Sequence, residues 1–277
     1  TVLVVLIAGT YCDFRWREVP DWVNYGLILA GVGFRLITTI ITKDYTFLLY
    51  GLYGFIAAFL IAILMFYTGQ WGGGDSKMIM GIGAMAGLSL SIDAFFIGFL
   101  VNTLIFGALF GLAFSVYLVA THWSAFRKDF RRLYKEKRKR KYFVWALTAA
   151  LLLVSVFSPW IIKMPLVVIA GLLFISFYTF IYLKAVEKSC MLKYVSPEEL
   201  TEGDWIAEPI HVGKKYIAGP KDLGIELEQI AQLKAYKKKK LIDKVLIKVG
   251  VPFVPSFLIA FVVQYLWGNV VLRMLGL

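Results

Sequence analysis

The sequence predicts an all-α polytopic membrane bundle of about eight spans, with six possible, that carries a small cytoplasmic α+β domain. Three observations carry that prediction. Of the 277 residues, 60% are hydrophobic and only 17% charged, which is more apolar surface than one soluble core can hide. The apolar residues gather into segments near the ~20 residues that a spanning helix needs. Lysine and arginine gather between those segments, 26 of the 30 in alternate loops.

In chain order the apolar segments run over about 1–12, 20–42, 45–68, 76–92, 94–121, 142–160, 162–184 and 250–272. The first is short, so we expect either further residues ahead of Thr1 or a helix that continues past Asp13. Odd-numbered spans are followed by Arg15 and Arg17, by Lys77, by ten Lys/Arg between Arg127 and Lys141, and by thirteen lysines from Lys184 to Lys248. Only Arg35, Lys43, Lys163 and Arg273 fall on the other side. The positive-inside rule therefore puts the N-terminus outside and the odd loops in the cytoplasm.

The expected organisation is a membrane core over 1–121, a basic cytoplasmic loop over 122–141, two spans over 142–184, a cytoplasmic α+β domain over 185–249 and a C-terminal span over 250–277. Basic stretches that abut spans on both sides read as clamps on anionic lipid headgroups, so no nucleic-acid partner is expected despite the net charge of +12. Within 185–249, Ser196-Pro197-Glu198-Glu199 has the pattern of a helix start. Trp205–Ile210, Lys215–Ala218 and Lys244–Val249 read as strands around a turn at 211–214, and Ile225–Lys237 reads as an amphipathic helix. Cys12 and Cys190 stand alone without a CxxC spacing, and His122 and His211 are isolated, so neither a metal site nor a cofactor is expected.

Two acids stand out against this background. Asp13 ends the first span and Asp75 begins the fourth, so the topology derived from lysine and arginine places both at the cytoplasmic boundary. Two carboxylates at one depth on different helices make a candidate acid/base pair: one takes a proton from water while the other donates to a peptide carbonyl oxygen. The plainer alternative is that each snorkels to water, Asp13 neutralised by Arg15 or Arg17 and Asp75 by Lys77. Glycine favours the pair. Gly72, Gly73 and Gly74 free the backbone before Asp75 and let another chain approach. Gly83-x-x-x-Gly87 permits close helix packing. Span four is short, with few bulky anchors at its start, which predicts that it shifts for Asp75 to meet Asp13.

These residues also carry a family resemblance. Asp13-Phe14-Arg15-Trp16-Arg17-Glu18-Val19-Pro20-Asp21 resembles the D-x-R-x-x-x-I/V-P-N/D motif of the type IV prepilin peptidases, and Gly72-x-Gly74-Asp75-x-Lys77 resembles their G-x-G-D-x-K motif. Glu202-Gly203-Asp204-Trp205 and Val251-Pro252-Phe253-Val254-Pro255-Ser256-Phe257 look like the C-terminal region of the archaeal branch, which processes pilin and archaellin precursors. The resemblance implies a membrane aspartic endopeptidase with Asp13 and Asp75 as its catalytic pair, Gly72, Gly73, Gly74 and Lys77 shaping the backbone around them, and pilin-like or archaellin-like precursors as partners. The CxxC pairs of many bacterial members are missing, so no N-methyltransferase activity is carried over.

Family substrates have a basic leader, which makes nearby acids candidates to receive it: Glu18 and Asp21, or Glu198, Glu199 and Glu202 in the cytoplasmic domain. The competing reading is a proton- or cation-coupled transporter using the same aspartates. Against it, both acids lie at one boundary rather than at the midplane, and no inverted repeat is visible.

Overall fold

The computed structural model describes residues 1–89, 91, 94–213 and 215–276. Its elements are α1 (Val2–Trp16), α2 (Asp21–Thr42), α3 (Thr46–Tyr67), α4 (Gly73–Ala86), α5 (Phe95–Thr121), α6 (Trp123–Glu136), α7 (Arg138–Phe157) and α8 (Trp160–Cys190). There follow β1 (Leu192–Val195), β2 (Trp205–Ile206), β3 (Ile210–Val212), β4 (Lys215–Ala218), α9 (Leu227–Lys238), β5 (Val245–Lys248), α10 (Val254–Trp267) and α11 (Val270–Met274). This is a polytopic helical membrane bundle with a small α+β portion. The end of the fourth expected span, at Leu90 and Ile92, and Lys214 of the expected turn lie outside the described residues.

Each of the eight apolar segments contains a helix, but among the described residues only α2, α3, α5, α7 and α8 are long and apolar enough to cross a membrane. Their outward side chains, such as Leu29, Ile41, Leu60 and Ile161, are exposed, as lipid-facing residues must be. α1, α4 and α10 have 15, 14 and 14 residues. At ~1.5 Å per residue α4 and α10 fall short of the ~30 Å hydrocarbon core. α1 does continue past Asp13, as one of the two expectations had it, and stops at Arg17 in a left-handed conformation.

The chain separates into two compact units, 1–113 with 195–245 and 250–277, and 114–194 with 246–249. In the first, α4 is the centre. Met78, Ile79 and Ile82 are fully buried among Leu6 of α1, Leu27 of α2, Ala58 of α3, Phe99 of α5 and Phe257 of α10. Glycine brings its backbone against its neighbours: a Cβ on Gly31 of α2 would lie 2.9 Å from Met85 N, and one on Gly54 of α3 would lie 2.7 Å from Gly87 Cα. The small-residue spacing at Gly83 and Gly87 thus serves helix packing, as its pattern suggested. Small residues anchor α4 here as firmly as large ones would.

Arg35, assigned to a loop by charge counting, instead enters the bundle from α2. Its guanidinium donates to Met85 O at 2.9 Å and to Ala86 O, the carbonyls that the end of α4 leaves without intrahelical partners. Arg35→Leu is expected to lower stability in detergent by about 3 kcal/mol, the scale of losing charged hydrogen bonds to otherwise unpaired carbonyls. Thermal unfolding checks this, and Arg35→Lys should restore only part of the loss.

In the second unit the expected basic loop at 122–141 is not a loop. It is α6 and the start of α7, broken at Lys137. Phe126, Phe130 and Tyr134 recur every four residues and form an aromatic stripe. Phe126 packs on Tyr182 of α8 with ring centroids 5.6 Å apart, and Tyr134 on Tyr178 at 6.4 Å. Burying that stripe makes the basic stretch helical and turns Arg127, Lys128 and Arg131 to the opposite face, where they line a concave surface of about 580 Å³.

Residues 195–245 differ from expectation in three places, the first being that His211 and Val212 of the expected turn belong to β3. Ser196–Glu199 forms a turn rather than a helix start, with Glu199 N donating to Ser196 O at 2.9 Å. The strand expected over 205–210 is split into β2 and the start of β3, because Pro209 has no N–H to donate. β3 pairs antiparallel with β4, His211 opposite Tyr216. β1 and β5 are hydrogen-bonded neighbours in a second small sheet.

Candidate active site

The short helices carry the candidate site. Asp13 lies one turn from the end of α1 and is 7% exposed. Its Oδ2 accepts a hydrogen bond from Val254 N, the first amide of α10, at 3.0 Å. Asp75 is in the first turn of α4, half-buried, and its Oδ2 accepts from Gly72 N at 3.2 Å. An early acid satisfies an amide that a helix start leaves unpaired, so local chemistry holds Asp75 there. The charge of Asp13, on α1, acts on Asp75, on α4. The two acids singled out from sequence thus lie in one compact unit, each near an end of its helix and each accepting a backbone amide.

Simple neutralisation of Asp75 does not hold. Lys77 turns to Asp21 instead, Nζ to Oδ1 2.6 Å, and lies over the Tyr25 ring. Lys77 thus ties the start of α4 to the start of α2. Arg17 is the cation that acts on Asp13.

The three glycines differ in what they do. Gly72 has φ −73°, and neither Gly73 nor Gly74, both inside α4, is left-handed, so backbone freedom is not what this conformation uses. Gly74 is in contact with the Val19 backbone, where a Cβ would lie 3.5 Å from Val19 N. A Cβ on Gly73 would meet nothing within 4 Å. The open side of the run is at Gly73.

An acidic cluster lies beside the pair. Partial burial, then the charges of Asp204, Asp21 and Glu202, push Glu18 above the usual carboxylate range, against a hydrogen bond with Thr201. Trp205 packs on Gly69, whose φ of +68° marks the turn before Trp71, so this part of the soluble stretch sits against the α3–α4 loop. Glu202 thereby joins Glu18 and Asp21. Glu198 is engaged elsewhere, with Lys237 Nζ at 2.6 Å; Lys237 and the Ser196 hydroxyl pull its carboxyl down to about 2. Glu199 lies in the same exposed turn.

Sequence reasoning missed the partner of Asp13. Val254 is 241 residues away from it, and the only signal was the apolar Val251–Phe257 stretch that opens the last helix. Trp71, just before the glycine run, is 6% exposed and packs on Phe253 and Phe257 at 5.4 and 5.3 Å. Among the described residues no group of three or more His, Cys, Asp or Glu side chains comes together to hold a metal ion.

Comparison with known proteins bears on the same region. Residues 1–116 match the type IV leader peptidase family. The resemblance carried by the two aspartate motifs is thereby borne out over this stretch, which holds both motifs. The chain is similar to a preflagellin peptidase of Methanococcus maripaludis, 39% identical over 80 residues, and to one of Methanocaldococcus jannaschii, 36% identical over 81 residues. Each alignment covers 29% of this chain and 34% of the relative, so the chain spans about a third of the length of the curated relatives it matches.

Proposed function

We propose that the chain is a membrane aspartic endopeptidase that removes the basic leader from archaellin-like or pilin-like precursors at the cytoplasmic membrane boundary. The observation that carries this reading is that Asp13 and Asp75 stand near the ends of separate helices of one compact unit, where the Asp13 charge acts on Asp75. One carboxylate takes a proton from the attacking water, the other protonates the scissile carbonyl oxygen, and the proton returns to the pair when the amine leaves. The match of residues 1–116 to the type IV leader peptidases and the similarity to preflagellin peptidases support the choice of substrate. Gly73 is the open approach for the substrate backbone, and the basic face of α6 rests on anionic headgroups of the cytoplasmic leaflet.

The test is cleavage of a precursor with a lysine-rich leader ahead of an apolar helix by the detergent-solubilised protein. A single cut at the end of the leader is expected, and it should persist in a chelator. Absence of any cut, or a cut that Asp13→Asn leaves at the parental rate, would sink the reading.

Glu18, Asp21 and Glu202 are proposed to receive the leader's charges. Because its folded-state pKa is raised, Glu18 loses its charge at a less acidic pH than an ordinary glutamate, so KM should rise as pH falls through that range. Glu18→Gln should raise KM severalfold at low salt and flatten this dependence, whereas Glu198→Gln should leave KM unchanged.

A further inference from the structure

The family match ends at residue 116, so it assigns nothing to α10. Yet the first turn of α10 touches both halves of the candidate site. The opening amides of a helix have no partner within it. Pro255 contributes none. Val254 N, at 3.0 Å, and the amide of Phe253 donate to the Asp13 carboxylate, which is buried there. Gly9, one turn before Asp13, lets α10 close in: a Cβ there would lie 3.3 Å from Val254 Cγ1.

The same turn reaches the other acid through its rings. Phe253 and Phe257 stand edge to face with centroids 5.2 Å apart, and both pack on Trp71. Trp71 immediately precedes Gly72, whose amide holds Asp75. One rigid turn thus fixes Asp13 by hydrogen bonds and the approach to Asp75 by an aromatic clasp. The charged group acting on Asp13 is Arg17 on its own helix, and Asp13 in turn acts on Asp75 of α4. α10 carries no charged residue, and neither does α5.

We propose that the first turn of α10 is the positioning element of the active site, holding the Asp13 carboxylate by the Val254 amide and setting its place relative to Asp75 through Phe253, Phe257 and Trp71. This rests on the reading of Asp13 and Asp75 as the cutting pair.

Replacing Val254 with its α-hydroxy acid by nonsense suppression keeps the side chain and removes only the N–H. Cleavage of the lysine-rich synthetic precursor should then show kcat lowered about 10- to 100-fold with KM unchanged, the scale on which misplacement of a reacting group acts. Losing a donor to a carboxylate also raises that carboxylate's pKa, so the acidic limb of kcat should move up by about one pH unit. Valine itself introduced at position 254 by the same suppression should return the parental profile.

A second measurement does not depend on the ester. Trp71→Leu and Phe257→Leu should each lower kcat, and the double variant should fall no further than the worse single one, because either change opens the same clasp. An ester variant with parental kcat and pH limb would overturn the proposal, as would additive effects in the Trp71–Phe257 cycle. Cleavage by Asp13→Asn at the parental rate would instead overturn the assignment of the pair, a result distinguishable from both.

Discussion

Asp13→Asn and Asp75→Asn are each expected to lower kcat for leader removal by about 10³-fold or more while leaving the fold intact. The magnitude follows from the division of labour proposed for the pair, in which each carboxyl group moves a proton, because loss of one positioned acid or base costs up to ~10⁴-fold. Asparagine is the right probe because it is isosteric. Its side-chain oxygen still accepts the amide of Val254 at position 13, or of Gly72 at position 75, so the caps of α10 and α4 survive. What it cannot do is shuttle the proton. Steady-state cleavage combined with thermal unfolding separates the two effects: activity should vanish while the melting temperature moves little. Lys77→Met should behave oppositely, retaining the chemistry and costing stability, because Lys77 pairs with Asp21 rather than with Asp75.

Gly54→Val or Gly83→Val should be the most damaging packing changes, each costing about 3 kcal/mol or more and removing activity with the fold. A Cβ at Gly54 would lie 2.7 Å from Gly87 Cα, and one at Gly83 would lie 2.6 Å from Ala58 Cβ. Those obstacles are backbone and a methyl group fixed to it, which have no rotamer to move into. α3 and α4 would have to separate, and α4 carries Asp75. Gly73→Ala is the contrast. Nothing lies within 4 Å of its Cβ position, so stability should stay within ~1 kcal/mol of the parent and any loss of cleavage would reflect the substrate's approach rather than the fold. Chemical unfolding in mixed micelles, read beside cleavage, checks both sides of this pair.

Much of the fold is written locally. A run of some twenty apolar residues can lie only in lipid or in a large core, so the existence and order of the helices could be read from composition alone. α6 is equally legible, since Phe126, Phe130 and Tyr134 recur at helical spacing beneath the dense charge of the same stretch. The broken strand at Pro209 and the turn at Ser196 show the reverse. There a correct local signal was overridden, by a missing donor in the first case and by Ser196 and Glu198 bonding to Lys237 in the second.

The candidate site divides in the same way. Asp13, Asp75 and the glycines between Trp71 and Asp75 stand in short contiguous motifs, so the sequence by itself determined which acids to examine and near which ends of their helices they lie. Only the tertiary structure decided what surrounds them. That Lys77 serves Asp21, that Glu202 rather than Glu198 joins Glu18, that Arg35 closes α4 and that Val254 holds Asp13 are contacts between segments far apart in the chain. Periodicity and charge patterning report on the few residues within one turn or one loop. Which helix start meets which carboxylate is settled by how glycine-lined helices pack against each other, and that is a property of the assembled bundle.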